Sequence, residues 1–198
     1  MYFPEEGKRN WPHTFKAVIS RARSKDISAV VVFTADGNAA IELKKALPRT
    51  KSVIAVTFPA HQTFLGPDGQ QFSHVLSELH ARQRLISSGI PVVIGALPFQ
   101  EVIIPNVEDP KLAGITRALS LLGGSFSLCV QAVTMATDSG HVDVGEKVIA
   151  CTSDTALVIR SSSASLLFHP VKGMQIQEIL CKPSVLTITR KRRLESQT

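Results

Sequence analysis

Eight residues that could bind or react with a small molecule follow three apolar stretches of the sequence. They are Thr34, Gly37, Asn38, Thr57, His61, Thr152, Asp154 and Thr155. Hydroxyl and amide groups, together with the free backbone N–H groups at the start of a helix, are suited to bind a phosphate or another polar group. A histidine or a carboxyl group can serve as an acid or a base. The sequence therefore predicts a small-molecule site, with His61 or Asp154 as candidates for proton transfer.

These residues also have purely structural interpretations. A hydroxyl or carboxylate in the turn around Gly37 could cap the start of a helix, with the glycine needed only for the bend. A single histidine in a loop, such as His61, can simply be hydrated. Asp154 and Thr155 could tie a turn to the backbone. The sequence does not choose between the structural and the functional roles.

Short apolar runs predict the strands that position these residues. Residues 30–33 are four consecutive apolar side chains, which is typical of a parallel strand covered on both faces. After the bend at Gly37, apolar side chains recur at helical spacing and predict a helix over residues 37–47. Similar apolar runs predict further strands over residues 52–58, 90–95, 147–151 and 156–160.

Helical spacing predicts four more helices, over residues 12–24, 72–89, 110–122 and 126–136. We expect an irregular loop over residues 60–71 and a short strand over 101–104, whereas residues 176–189 are amphipathic and favour no single element. Because helices alternate with apolar strands, the sequence predicts an α/β sandwich with a largely parallel sheet. In such sheets ligands bind beyond the carboxyl ends of the strands, so the polar residues above should share one rim.

Composition indicates one domain and argues against several classes of partner. The chain has 198 residues, 44% of them hydrophobic, which suits a single domain over residues 1–189 followed by a basic tail over 190–198. The tail holds four of the basic residues behind the net charge of +6, so we expect a solvated terminus and no nucleic-acid contact. No secretory signal and no apolar run long enough to span a bilayer are visible, so we expect no membrane contact and a cytoplasmic location.

The spacing of cysteines and histidines gives no metal or disulfide signature. Cys129, Cys151 and Cys181 are far apart and form no Cys-x-x-Cys pair, so we expect small buried hydrophobic side chains. His74 and His80 are six residues apart, which places them on different faces of the predicted helix. We therefore expect no metal site, and the motifs of nucleophilic hydrolases and nucleoside triphosphatases do not occur.

Many short matches, in order along the chain, resemble a known family. Residues 31–34 with Gly37, followed by residues 54–57, resemble the C-terminal α/β domain of pyruvate kinase. Positions within residues 2–14, the loop over residues 57–66, and above all positions within residues 135–158 and 176–183 are similar to stand-alone prokaryotic proteins with that fold. The resemblance therefore covers nearly the whole chain. It implies a three-layer α/β/α sandwich around a mostly parallel five-stranded sheet. It does not imply pyruvate kinase activity, because a catalytic (β/α)₈ barrel alone takes about 250 residues.

The resemblance also implies a phosphorylated ligand. The turn corresponding to residues 34–39 is a regulatory sugar-phosphate site in pyruvate kinases, and stand-alone relatives are associated with flavin mononucleotide (FMN). Where those relatives carry Ser or Thr, this chain has Ala35, Asp36 and Ala39, which removes three hydroxyl donors and adds one negative charge. Each lost charge-assisted bond to phosphate costs about 1.5–3 kcal/mol. FMN is therefore a candidate cofactor whose phosphate lacks its usual donors.

Three functional hypotheses follow. The first is a ligand-binding protein that takes a small phosphorylated molecule or a flavin at the strand-end rim. The second is an enzyme acting on a small metabolite, with His61 or Asp154 in proton transfer. The third is a degenerate scaffold without a ligand, which forms a homo-oligomer or binds another partner.

Overall fold

The computed structural model describes residues 1–65, 69–99 and 110–186. The strand expected at residues 101–104 and the basic tail at 190–198 lie outside the described residues. The described part of the chain contains five α-helices, nine β-strands and three short 3₁₀ helices.

Helices and strands alternate along most of the described chain. The helices are α1 (Trp11–Ala22), α2 (Asn38–Ala46), α3 (Leu79–Ser87), α4 (Pro110–Ser120) and α5 (Gly124–Asp138). The strands are β1 (Tyr2–Phe3), β2 (Ala29–Phe33), β3 (Ser52–Thr57), β4 (Thr63–Leu65), β5 (Gln71–Ser73), β6 (Val92–Ile94), β7 (Lys147–Cys151), β8 (Ala156–Arg160) and β9 (Gln175–Pro183). Within these described ranges, none of the helices has the length and hydropathy needed to cross a membrane.

Seven strands form one sheet in the order β1-β9-β8-β7-β2-β3-β6, and β4 and β5 form a separate hairpin. The neighbours β7, β2, β3 and β6 are all parallel, as are β1 and β9, whereas β8 runs antiparallel to both β7 and β9. The expectation of a mostly parallel sheet is confirmed, but the expected number of five strands is wrong. The additional strands β1 and β9 lack an apolar run, because β1 has two residues and most of β9 is exposed.

Two expectations about residues 60–89 are also wrong. The irregular loop expected over residues 60–71 contains strand residues 63–65 and 71, because β4 pairs with β5 and sets Phe64 opposite Phe72. Helix α3 begins at Leu79 and not at residue 72. The Phe72 ring, which has helical spacing to the residues after it, instead lies 5.6 Å from the Phe64 ring across the hairpin. Here a cross-strand aromatic pair outweighs the local helical pattern.

Both faces of β2 are buried, which explains its continuous apolar run. Val30 and Val32 belong to a core cluster that also contains apolar side chains of α1, α2 and α3. Val31 and Phe33 belong to a second cluster, built largely from α5. Because successive side chains of a strand point to opposite faces, β2 anchors the packing on both sides of the sheet.

The strand order reverses between β2 and β7. From β2 the chain moves to β3 and then β6 on one side, and it later enters β7 on the other side of β2. Since these four strands are parallel, their carboxyl ends lie at the same edge of the sheet, as the sequence predicts. A crevice opens at such a reversal because the connections leave in opposite directions. The segments after β2 and β7 therefore face each other across this crevice.

An ion-pair cluster ties the end of α1 to the sheet. Arg21 lies 2.9 Å from Asp26 and 2.8 Å from Glu178 of β9, and Lys147 of β7 lies 3.1 Å from Asp26. Hydrogen bonds from Arg21 lower the pKa of the Asp26 and Glu178 carboxyl groups below their ordinary values. Both carboxylates are partly exposed, so solvent screening limits what the pairs contribute to stability.

Truncation of two leucines on α3 tests the described packing. Leu85 is fully buried, so Leu85→Ala should lower the free energy of unfolding by about 2–5 kcal/mol. Leu79 is 64% exposed on the same helix, so Leu79→Ala should change that free energy by less than about 0.5 kcal/mol. Urea denaturation monitored by circular dichroism measures both free energies of unfolding. Equal losses in the two variants would contradict the assignment of Leu85 to the core.

The Arg21 cluster should also give stability a specific pH dependence. Because folding lowers the pKa of Glu178, its contribution is present above the unfolded-state pKa of about 4.3 and is lost as pH falls through the folded-state pKa. The Glu178→Gln variant should therefore lose less stability than the parent between about pH 6 and about pH 3. Urea midpoints measured across this range report the difference. Parallel pH profiles for the two proteins would show that the Glu178 carboxylate contributes no pH-dependent stability.

Candidate functional site

A cleft of about 480 Å³ opens at the reversal point between β2 and β7. Its walls come from the turn after β2, the turn after β7, the first turns of α2 and α5, and the start of α1. Three aromatic side chains line it: Trp11, Phe33 and Phe58. Small-molecule sites in proteins have volumes of about 300–1,000 Å³, so the cleft is large enough for a ligand with one or more rings.

Aromatic contacts hold the apolar wall of the cleft. The rings of Phe33 and Phe58 pack edge to face, with centroids 4.7 Å apart. The Trp11 ring packs on Phe15 at 5.7 Å, and its indole N–H donates a hydrogen bond of 2.7 Å to the Glu42 carboxylate. Edge-to-face contacts are the geometry that ring quadrupoles favour. The wall is therefore a fixed aromatic surface that suits a flat ring.

The turn after β2 caps helix α2 with its own side chains. The Thr34 hydroxyl oxygen accepts a hydrogen bond from the Gly37 N–H at 3.0 Å. Asp36 Oδ1 accepts from the Asn38 N–H at 3.1 Å and from the Thr34 hydroxyl at 3.2 Å. A carboxylate thus occupies the position at the helix start where a bound anion would accept the same bonds. These hydrogen bonds match the structural interpretation of the turn, in which its side chains cap the start of α2.

Gly37 is required at this turn on two grounds. Its φ of +78° lies in the left-handed region, which costs other residues about 1–2 kcal/mol. A Cβ atom placed on Gly37 would also lie 2.8 Å from Cδ1 of Leu85, a buried side chain of α3. The turn is further held by Arg84, whose guanidinium donates to the Asp36 carbonyl oxygen at 3.3 Å and to Asn38 Oδ1 at 3.2 Å.

Charged side chains lie at the mouth of the cleft. Asp36, Glu42 and Lys8 all line it. The Lys8 ammonium lies 4.0 Å from the Asp36 carboxylate, and 88% of the Lys8 side chain is exposed. Because solvent screens such an exposed ion pair, Lys8 offsets the Asp36 charge only weakly. The mouth therefore presents two carboxylates and one exposed ammonium.

Asp154 has a structural position in the tight turn between β7 and β8. It is only 3% exposed. Its Oδ2 accepts a hydrogen bond of 2.8 Å from the Gly7 N–H, and its Oδ1 accepts from the hydroxyls of Thr155 at 3.1 Å and Thr152 at 3.3 Å. The buried carboxylate is thus satisfied by three donors, as a buried charge must be. It ties the N-terminal segment to the end of β7.

His74, which the sequence assigned to a helix, is a buried side chain before α3. Its Nε2 lies 3.0 Å from the Pro59 carbonyl oxygen, and its Nδ1 lies 3.5 Å from the Thr57 hydroxyl. Because a carbonyl oxygen only accepts hydrogen bonds, Nε2 carries a proton. The ring also lies 6.0 Å from the ring of Phe58. His74 therefore fixes the segment after β3 that carries this aromatic wall residue.

The cysteines and the potential metal ligands of the described residues are dispersed and mostly structural in position. Cys129, Cys151 and Cys181 are buried free thiols, as the sequence predicts. Burial raises the pKa of all three thiols, so they stay protonated near neutral pH and are poor nucleophiles. In the described ranges, no group of three or more His, Cys, Asp or Glu side chains could hold a metal ion.

The cleft brings together only part of the residue set predicted from the sequence. The predicted residues in its lining are Thr34, Asn38 and Thr152. The predicted residues outside its lining are Gly37, Thr57, His61, Asp154 and Thr155. His61 is exposed on the loop after β3, and Thr57 is fully buried. Neither His61 nor Asp154, the two candidates for proton transfer, faces the cleft.

Several lining residues were missed by sequence reasoning. Phe58 and Ser153 were not named as site residues, although they lie within residues 57–61 and 151–155, which the strand-end rule places at the rim. Trp11, Glu42 and Ser125 reach the cleft only through the packing of α1, α2 and α5. That packing depends on contacts between distant parts of the chain, which local spacing does not reveal.

Replacement of Asp154 tests its structural role. Asp154→Ala leaves the Gly7 N–H and two buried hydroxyls without their acceptor, so unfolding free energy should fall by at least about 2 kcal/mol. The control is Asp143→Ala, since Asp143 is exposed before β7 and its loss should cost less than about 0.5 kcal/mol. Urea denaturation provides both numbers. A neutral Asp154→Ala would refute the tie to the N-terminal segment.

The cleft thus combines an aromatic wall, a helix start that is already capped, and two carboxylates at its mouth. His61 and Asp154, the two candidates for proton transfer, are not among these lining groups. No protein-family model matches the chain.

Proposed function

We propose that this protein binds a small molecule in the cleft between β2 and β7 and catalyses no pyruvate kinase reaction. The observation that carries the proposal is the coincidence of the cleft with the reversal of strand order. Ligands of open α/β sheets bind at this position because two connections diverge there and leave room above the strand ends. The aromatic lining supplies the apolar contact area that most small-molecule sites use.

We further propose the three-layer α/β/α fold of the pyruvate kinase C-terminal domain. The mostly parallel sheet supports this proposal, since β7, β2, β3 and β6 all run parallel. Apolar helical side chains cover both faces of β2, in two separate core clusters. The described residues form an open sheet and not a (β/α)₈ barrel, which supports the proposal that they carry no pyruvate kinase chemistry.

A flavin and a small phosphorylated molecule are the two candidate ligands. The aromatic wall favours the flat ring of a flavin. The phosphate of FMN does not fit the turn after β2, because Thr34 and Asp36 already accept the bonds from the Gly37 and Asn38 N–H groups. A phosphate would instead have to use Lys8 and the hydroxyls of Ser125 on α5 and Ser153 after β7.

The enzyme hypothesis receives no support from the geometry. His61 is exposed outside the cleft, and the Asp154 carboxylate is buried against three donors. A general acid or base has to reach the substrate proton directly or through one water molecule. The oligomeric scaffold remains the alternative, and it requires that the cleft bind nothing.

Fluorescence of Trp11 tests ligand binding directly, because Trp11 is the only tryptophan of the chain and lines the cleft. Titration with riboflavin, FMN and sugar phosphates should change the Trp11 emission for at least one of these ligands. The same ligand at about 100 times its dissociation constant should add about 2.7 kcal/mol to the free energy of unfolding.

Two substitutions, each replacing an alanine with phenylalanine, test whether the ligand binds in the cleft. Ala35 is an exposed residue of the cleft lining, so Ala35→Phe should fill the cleft and abolish the response. Ala46 is exposed at the opposite end of α2, so Ala46→Phe should leave the response unchanged. Absence of any response in the parent protein, or an unchanged response in Ala35→Phe, would reject the cleft as a ligand site.

A further inference from the structure

We infer that the cleft selects a planar heteroaromatic ligand that carries no phosphate, and that Asp36 is the residue that rejects the phosphorylated form. This inference rests on the proposed function, because it assigns a ligand class to the same cleft. It distinguishes riboflavin from FMN and a nucleoside from its nucleotide. Each pair shares one ring system and differs by a single phosphoryl group.

The first argument is the hydrogen-bonding state of the turn after β2. A phosphate at a helix start is held by free backbone N–H groups. Here the N–H of Gly37 is bonded to the Thr34 hydroxyl at 3.0 Å, and the N–H of Asn38 is bonded to Asp36 Oδ1 at 3.1 Å. An incoming phosphate would have to displace a side chain that belongs to the turn itself. Two of the backbone donors at this helix start are therefore already used by side chains of the turn.

The charged side chains in the cleft lining also disfavour a phosphate. Asp36 and Glu42 both line the cleft, and their carboxylates repel a phosphate that carries between one and two negative charges near neutral pH. The one lysine in the lining, Lys8, already lies 4.0 Å from Asp36 and is 88% exposed, so its attraction for a second anion is screened. The balance of lining charges therefore opposes an anion.

The aromatic side chains of the cleft can bind an uncharged heteroaromatic ring. Phe33 and Phe58 form a fixed edge-to-face pair in its wall, and the Trp11 indole is oriented by its 2.7 Å hydrogen bond to Glu42. The Ser125 and Ser153 hydroxyls lie in the same lining and can pair with polar atoms at the edge of a ring. Stacking on aromatic side chains requires no charge on the ligand.

The test compares matched ligands by isothermal titration calorimetry and Trp11 fluorescence. The parent protein should bind riboflavin at least about tenfold more tightly than FMN, or adenosine at least about tenfold more tightly than adenosine monophosphate. Raising the salt concentration should narrow the difference, because salt screens the repulsion between phosphate and carboxylate.

Three variants assign the selection to Asp36. Asp36→Asn keeps an acceptor for the cap and removes only the charge, so the preference should fall by about tenfold. Asp36→Ser also supplies a hydroxyl donor, so the preference should move further toward the phosphorylated ligand. The control Asp143→Asn changes an exposed carboxylate before β7, at the opposite edge of the sheet from the cleft, and should leave the preference unchanged.

The outcomes separate the two proposals. If neither member of any pair binds to the parent protein, the ligand-binding function itself is rejected, and this inference with it. If FMN or the nucleotide binds as tightly as its unphosphorylated partner, only the inference is overturned, and the phosphate must lie near Lys8 or Ser125. If Asp36→Asn and Asp143→Asn shift the preference equally, Asp36 is not the selecting residue.

Discussion

The position of β2 between β3 and β7 is the constraint on which the rest of the molecule depends. This strand is parallel to both neighbours and buried on both faces, so its apolar run must continue without interruption. The order of the strands on its two sides then reverses, and the reversal creates the cleft. One buried strand thus determines both the core and the place where a ligand can enter. A polar side chain within β2 would damage the core and the cleft together.

A hydrogen bond between Gly7 and Asp154 holds the N-terminal segment beside the cleft. The Asp154 carboxylate accepts a hydrogen bond from the Gly7 N–H, and Lys8 and Trp11 lie one and four residues after Gly7. These two residues supply one charge and one aromatic surface to the cleft. The role of Asp154 is therefore to position the segment that carries part of the cleft wall. A residue that looks catalytic by its type and by its place after a strand can be structural, because a buried carboxylate requires several donors.

The sequence predicts the central part of this fold well and its edges poorly. The segments that became β2, β3, β7 and β8 are apolar runs bounded by turn residues, and burial on both faces makes such runs visible locally. Strand β9 is exposed over most of its length and exists because it pairs with β8, which local spacing does not encode. The site divides in the same way: Thr34, Asn38 and Thr152 follow predicted strands, whereas Trp11 and Ser125 arrive by packing of helices. The helix expected from residue 72 failed because Phe72 packs on Phe64, a partner in another strand.

The Asp36 carboxylate orders the turn after β2 by itself. Because it is covalently attached to the turn that it caps, its effective concentration at the start of α2 exceeds that of any freely diffusing anion. Turns that rely on a bound phosphate for order gain that order only when the ligand arrives. This turn contains its own carboxylate, so its conformation does not depend on a bound ligand. A ligand entering the cleft would then lose little affinity to the ordering of this wall.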